Sequence, residues 1–96
     1  MSAPLRVAIV GAGKMGRHHA TAVRRLGASA QLVGVADRDG SLAESFAKEL
    51  DVPAWHRDVG TLVREERPDV VHVVTAPASH ATVARIAIDG GAHIYV

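Results

Sequence analysis

Leu5-Arg6-Val7-Ala8-Ile9-Val10 runs directly into Gly11-Ala12-Gly13-Lys14-Met15-Gly16. A short apolar run that stops at glycine reads as a strand buried on both faces. The residues after it recur with helical spacing: Met15, His19, Ala22, Val23 and Leu26 predict one helix face, ended by Gly27. G-x-G-x-x-G between a strand and a helix has a mechanical meaning. Gly11 allows a tight turn, Gly13 lets a ligand approach the backbone, and Gly16 lets the helix pack close to the sheet. The free N–H groups and positive end of the helix then face an anionic group, here a pyrophosphate.

The same alternation repeats along the chain. Leu32–Ala36 is the next predicted strand, closed by Asp37. Ser41 is the expected N-cap of a second helix, with Glu44 completing a capping box and Leu42, Phe46 and Leu50 as its apolar stripe. Ala54-Trp55 is a short third strand at best. Residues 58–66 predict a short helix or turn with Asp58 as N-cap, stopped by Pro68. Val70–Val74 predicts a strand and Ser79–Asp89 a helix with Val83, Ala84, Ala87 and Ile88 on one face. Gly90-Gly91 closes that helix, and His93–Val96 begins a fifth strand. The pattern predicts an α/β fold: a Rossmann-type, doubly wound, mainly parallel sheet, truncated after the fifth strand. Residues 1–96 then form a single dinucleotide-binding domain. Right-handed crossovers put the strands' C-terminal ends on one edge, where loops 11–16, 37–40 and 75–80 meet.

Composition removes other classes. Without cysteine, disulfide scaffolds, thiolate zinc sites and cysteine nucleophiles are excluded. A net charge of +1 gives no general attraction for nucleic acid or an anionic membrane. No apolar run reaches the roughly 18 residues of a membrane span, and Met1–Arg6 does not begin a secretory signal, so the cytoplasm is the expected location. With aromatic residues at only 3%, the core must be built from Val, Ala, Leu and Ile.

Asp37 follows Gly16 by about twenty positions, where an acidic residue accepts hydrogen bonds from the adenosine ribose hydroxyls. A carboxylate there repels a 2′-phosphate, which favours NAD over NADP. Arg38 works the other way, since its guanidinium can pair with a 2′-phosphate or stack on adenine. A plain turn aspartate and a solvated arginine are the alternatives. His18 is read as a surface residue, His19 as a packed, hydrogen-bonded histidine and His72 as structural, while His56 and His93 carry no pattern. Adjacent helical histidines point about 100° apart, so no metal site is assigned.

Further motifs follow in order. Gly16-Arg17-His18-His19 continues the glycine loop, and Ala36-Asp37-Arg38 closes the second strand. Asp69-Val70-Val71-His72-Val73-Val74-Thr75-Ala76-Pro77-Ala78-Ser79-His80 leads a strand into a Thr…Pro…His loop, and Gly91-Ala92-His93-Ile94-Tyr95-Val96 follows. This ordered set, from Arg6 to Val96, resembles the N-terminal domain of the Gfo/Idh/MocA oxidoreductases, the glucose–fructose oxidoreductase and inositol dehydrogenase family. The resemblance implies an NAD(P)-dependent enzyme that moves hydride to or from a sugar, cyclic polyol or related small molecule. It implies that Thr75, Pro77 and His80 line the nicotinamide half of the cofactor site. A helix N-terminus with Ser79 as cap and an exposed His80 is the alternative. With the glycine loop and the second strand's end, the expected cofactor-binding set is Gly11, Gly13, Lys14, Met15, Gly16, Asp37, Arg38, Thr75, Pro77 and His80.

The chain departs from the family in three ways, the first being Ala92, which stands where a basic residue is common. Ala76 stands where the loop usually has a first proline, although Pro77 still restricts Ala76. The family's Glu-Lys-Pro, whose lysine lies at the reaction centre, would begin after Val96. No catalytic residue is therefore assigned, and the small-molecule substrate is expected to need a second domain. The competing expectation is a stand-alone dinucleotide-binding or sensor module without catalysis. An open sheet face after the last strand leaves self-association as a homo-oligomer open.

Overall fold

The structure is a computed structural model that describes residues 3–96. Its strands are β1 (Leu5–Val10), β2 (Ala30–Ala36), β3 (Trp55–His56), β4 (Val70–Val73) and β5 (His93–Tyr95). Between them lie helices α1 (Lys14–Arg24), α2 (Gly40–Glu49), α3 (Val59–Glu66) and α4 (His80–Asp89). The sheet order is β3-β2-β1-β4-β5, and every neighbouring pair is parallel. The order reverses between β1 and β4, so the chain is doubly wound, as the strand–helix alternation predicts.

Alternation along β1 builds the two cores. Val7 and Ile9 point to one face, where they meet Ala20 and Val23 of α1 and Phe46 of α2. Ala8 and Val10 point to the other, against Leu62 of α3 and Val83 and Ala87 of α4. Phe46 and Leu62 are fully buried, one on each side.

Several boundaries differ from the sequence reading, each for a local reason. In α1 the buried residues are Gly16, Ala20 and Val23: of the expected face Val23 is buried and His19 half-buried, whereas Met15 and Leu26 are each 58% exposed. Gly16 rests on the carbonyl of Gly11, where any side chain would collide, and this contact turns that face of the helix to the sheet. Ala22 is exposed as a result. Leu26 lies past the helix end, and Gly27, at φ +61°, opens a short 3-10 turn into β2. In α2 the cap is Asp39, not Ser41: its carboxylate accepts from the Leu42 N–H at 3.2 Å. The Asp37 N–H still bonds the His56 carbonyl at 3.1 Å, and the Asp37 carboxylate then accepts from the Asp39 N–H at 2.9 Å, which turns the chain directly after β2 so that the helix starts early. Leu42 is on the rim of the stripe, Leu50 is half-buried, and only Phe46 of the three is fully buried.

Asp58 caps α3 as expected, accepting from the Thr61 N–H at 2.8 Å and the Thr61 hydroxyl at 2.7 Å. Those two bonds, the hydroxyl's first, hold its carboxyl below the usual aspartate value. Arg67 ends the helix in a left-handed conformation just before Pro68. At α4 a 3-10 turn, Pro77–Ser79, precedes the helix, and Ser79 makes no side-chain cap bond. Val83 and Ala87, one turn apart, pack inward, whereas Ile88, a further 100° round, is exposed. β4 ends at Val73 and β5 at Tyr95, one residue short of the predicted runs. Among the described residues no helix is long and apolar enough to cross a membrane.

Candidate functional site

The C-terminal ends of β1, β2 and β4 converge on one cleft of about 730 Å³. That size is ordinary for a small-ligand or cofactor site, which runs to roughly 300–1,000 Å³. Each glycine of the loop has a separate reason. Gly11 has φ +112°, and a Cβ there would stand 2.5 Å from the Val74 carbonyl oxygen. Only glycine brings the end of β1 this close to the end of β4. Gly16 is the helix–turn contact described above. Gly13 differs: a Cβ there would meet nothing within 4 Å, and its φ of −85° is open to any residue. Its lack of a side chain leaves open space on the cleft side, which suits the backbone approach of a bulky anion.

Gly13 is also the N-cap of α1 and provides no capping side chain, and no acid occupies the first turn. The helix's leading N–H groups and positive end are thus left to a ligand. The first intrahelical bond runs from the Arg17 N–H to the Gly13 carbonyl at 3.1 Å.

Asp37 is locked into this loop. One oxygen accepts from the Ala12 N–H at 2.9 Å and the other from the Asp39 N–H at 2.9 Å. The Gly11 N–H meanwhile bonds the Ala36 carbonyl at 2.8 Å. Asp37 is therefore no free turn residue: it ties the end of β2 to the glycine loop, and each carboxylate oxygen keeps acceptor capacity for a further donor.

The cleft joins five of the residues singled out from the sequence: Gly11, Gly13, Asp37, Arg38 and Thr75. The other five do not line it. Lys14 and Met15 are exposed on the first turn of α1, Gly16 is buried beneath the loop, and Pro77 is exposed at the start of the 3-10 turn. His80 is half-buried, and its Nε2–H donates to the Thr75 carbonyl at 2.7 Å, which braces the loop after β4. Pro77 does hold Ala76 extended, at ψ 147°.

The sequence reading missed the far wall. Arg57, Asp58, Val59 and Arg64 line it from the β3–α3 side, and Thr82 and Ile86 from α4. The signal was available: β3 is parallel to β2, so the residue after His56 must reach the same sheet edge as Asp37. Counting Trp55-His56 as a full strand would have added residues 57–59 to the three edge loops.

The remaining histidines lie elsewhere. His19 and His72 are hydrogen-bonded through Nδ1 atoms 2.8 Å apart, one ring donating and the other accepting, and Tyr95 stacks on His72 with ring centres 4.9 Å apart. His19 is thus packed and hydrogen-bonded, as its place on the helix implied. Burial, and then the neighbouring His19, push the His72 pKa below its ordinary 6.5. His56 pairs with Glu66 at 2.8 Å, and His18 and His93 are exposed.

Comparison with known proteins agrees with this geometry. The family model for the oxidoreductase family, NAD-binding Rossmann fold (Gfo/Idh/MocA), matches residues 5–96. The chain is 34% identical over 92 residues to UDP-N-acetylglucosamine 3-dehydrogenase of Acidithiobacillus ferrooxidans, covering 96% of the chain and 28% of that protein. It is 30% identical over 96 residues to scyllo-inositol 2-dehydrogenase (NAD(+)) of Bacillus subtilis, covering 100% of the chain and 28% of that protein. Among solved structures, an NAD binding oxidoreductase from Klebsiella pneumoniae superposes with a TM-score of 0.87 at 34% identity, over 97% of this chain and 27% of that one. The scyllo-inositol dehydrogenase from Lactobacillus casei with bound NAD(H) and scyllo-inositol gives 0.85 at 25% identity, over 95% and 27%. The chain thus spans just over a quarter of the length of the relatives it matches. With the family model covering residues 5–96, and a doubly wound parallel sheet observed over that span, the chain belongs to the Gfo/Idh/MocA oxidoreductase family.

Proposed function

We propose that this chain binds NAD as the cofactor half of an oxidoreductase acting on a sugar, cyclic polyol or related small molecule. The observation that carries the reading is Gly13: an open position at the uncapped N-terminus of α1, facing the cleft that Asp37 borders. In this reading the N–H groups at the start of α1 hold the pyrophosphate, and Asp37 accepts from the adenosine ribose hydroxyls. Arg38 borders the adenosine end, and Thr75 borders the cleft from the loop after β4, on the other side of the β1–β4 switch. When bound, the dinucleotide supplies the hydride chemistry, which needs no protein nucleophile.

The chain's own contribution is binding and orientation. Asp37 and Asp58, the two carboxylates on the cleft wall, both accept backbone hydrogen bonds. Neither stands free as a proton-transfer group, and a substrate hydroxyl needs one. The substrate class rests on the inositol and UDP-N-acetylglucosamine dehydrogenases among the relatives.

Calorimetric titration of the purified full-length protein with NAD and NADP tests the reading. The expected result is one dinucleotide per chain, with NAD bound more tightly because Asp37 repels a 2′-phosphate. A tenfold preference for NADP would overturn the assignment to Asp37, and failure to bind either would overturn the cofactor reading altogether.

A further inference from the structure

The loop after β4 answers its own carbonyls and leaves a donor. The His80 Nε2–H donates to the Thr75 carbonyl at 2.7 Å, reaching back along the chain. The Ala76 carbonyl accepts the Ser79 N–H at 2.9 Å and, more loosely, the Thr75 hydroxyl at 3.4 Å. The Ala76 N–H, by contrast, has no hydrogen-bond acceptor among the described residues. This idle donor lies on the cleft: Thr75 and Ala76 both border it, and His80 does not.

His80 sets which way that donor faces. The peptide between Thr75 and Ala76 is trans, so its carbonyl and its N–H point in opposite directions. Holding the carbonyl on the imidazole turns the N–H away from His80. Pro77 fixes the other side of the unit by keeping Ala76 extended, at φ −58° and ψ 147°. The start of the loop is pressed against Gly11, where a Cβ would stand 3.2 Å from the Thr75 nitrogen. The donor is thus oriented before a ligand arrives, and a fixed N–H suits a carbonyl oxygen. The loop lies across the β1–β4 switch from Asp37. With adenosine on Asp37 and the pyrophosphate at the start of α1, the part of a dinucleotide that reaches residues 75–76 is the nicotinamide nucleoside. Its carboxamide oxygen is an acceptor.

We propose that the Ala76 N–H donates to the carboxamide oxygen of nicotinamide, and that His80 is the positioning residue that presents it by pinning the Thr75 carbonyl. His80 then acts without touching the cofactor. The proposal rests on the dinucleotide reading above and names the donor that orients the reactive ring. A proline at position 76 would have no N–H to offer, so the contact follows from the alanine that this chain carries there.

The test compares NAD with ADP-ribose, which keeps both riboses and the pyrophosphate and lacks the nicotinamide, by calorimetry on the full-length protein. Ala76→Pro deletes the N–H, its ring suits φ −58°, and the carbonyl that accepts from Ser79 remains. It should weaken NAD about three- to tenfold, the scale of one neutral hydrogen bond, and leave ADP-ribose within about twofold. His80→Phe should give the same split by freeing the peptide. His80→Gln should recover part of it, because its amide N–H can reach the Thr75 carbonyl. The double variant Ala76→Pro/His80→Phe should lose no more than Ala76→Pro alone, since both act on one donor. The His80 variants carry the test if Ala76→Pro melts early. Equal losses for NAD and ADP-ribose in a variant that melts with the parent would overturn the proposal, since the loop would then hold a part common to both. Undiminished NAD binding in Ala76→Pro or in His80→Phe would overturn it too. If the parent binds both ligands and no variant changes their ratio, the carboxamide contact is wrong and the cofactor reading stands; if the parent binds neither, the cofactor reading itself is wrong.

Discussion

Gly13→Ala separates what the glycine loop does for the fold from what it does for a ligand. The added Cβ meets nothing within 4 Å, and the backbone at φ −85°, ψ −162° suits alanine. Alanine is a poorer N-cap than glycine by about 1 kcal/mol, whereas a less flexible unfolded chain favours it by about 0.4–1 kcal/mol. These effects oppose each other, so the free protein should change by less than about 1 kcal/mol, a melting shift within roughly 4–8 °C for a domain this size. Binding should respond differently. A methyl group in the space left for the pyrophosphate forces the ligand away from the N–H groups, at about 1–3 kcal/mol if overpacking is the guide. That is about a 5- to 150-fold rise in the NAD dissociation constant. Circular dichroism melting and calorimetric titration on the same preparation measure both quantities. A variant that melts like the parent and binds NAD equally well would refute the reasoning, because Gly13 would then not face the ligand.

Two further predictions concern the core and the histidine cluster. Phe46 is the largest fully buried side chain, so Phe46→Ala should destabilise by about 3–5 kcal/mol and lower the melting temperature by at least about 12 °C; a drop below about 5 °C would contradict the packing of α2. His72 has its pKa lowered from 6.5 by burial and by His19, so as pH falls below 6.5 the unfolded chain takes up a proton that the folded chain resists. Stability should be fully present above that value and be lost as pH falls through the lowered folded pKa, and melting at pH 7.5 and 5.5 should show a steeper loss for the parent than for His72→Val.

How much of this could be read in the sequence varied with the range of the interaction. The glycine loop, the strand before it and Asp37 were legible because their signal is local: three glycines at fixed spacing and an acid at the end of the next strand. Asp58 was legible as a cap for the same reason. The face of α1 was not, because the apolar residues Met15 and Leu26 suggest one stripe while the backbone contact of Gly16 with Gly11 fixes another. The cap of α2 depended on where the chain turns after β2, which the Asp37 carboxylate decides by accepting from the Asp39 N–H. The far wall of the cleft was hidden by the two-residue length of β3, too short to register as a period-two pattern. The His19–His72 bond joins α1 to β4 and has no signature in either segment alone.

The most direct test of the account is a crystal structure of the protein with NAD bound. The account predicts pyrophosphate oxygens at hydrogen-bond distance, about 2.7–3.2 Å, from backbone N–H groups at the start of α1, with adenosine ribose hydroxyls on the Asp37 carboxylate. A dinucleotide bound away from the β1–β4 switch, with the glycine loop untouched, would contradict it.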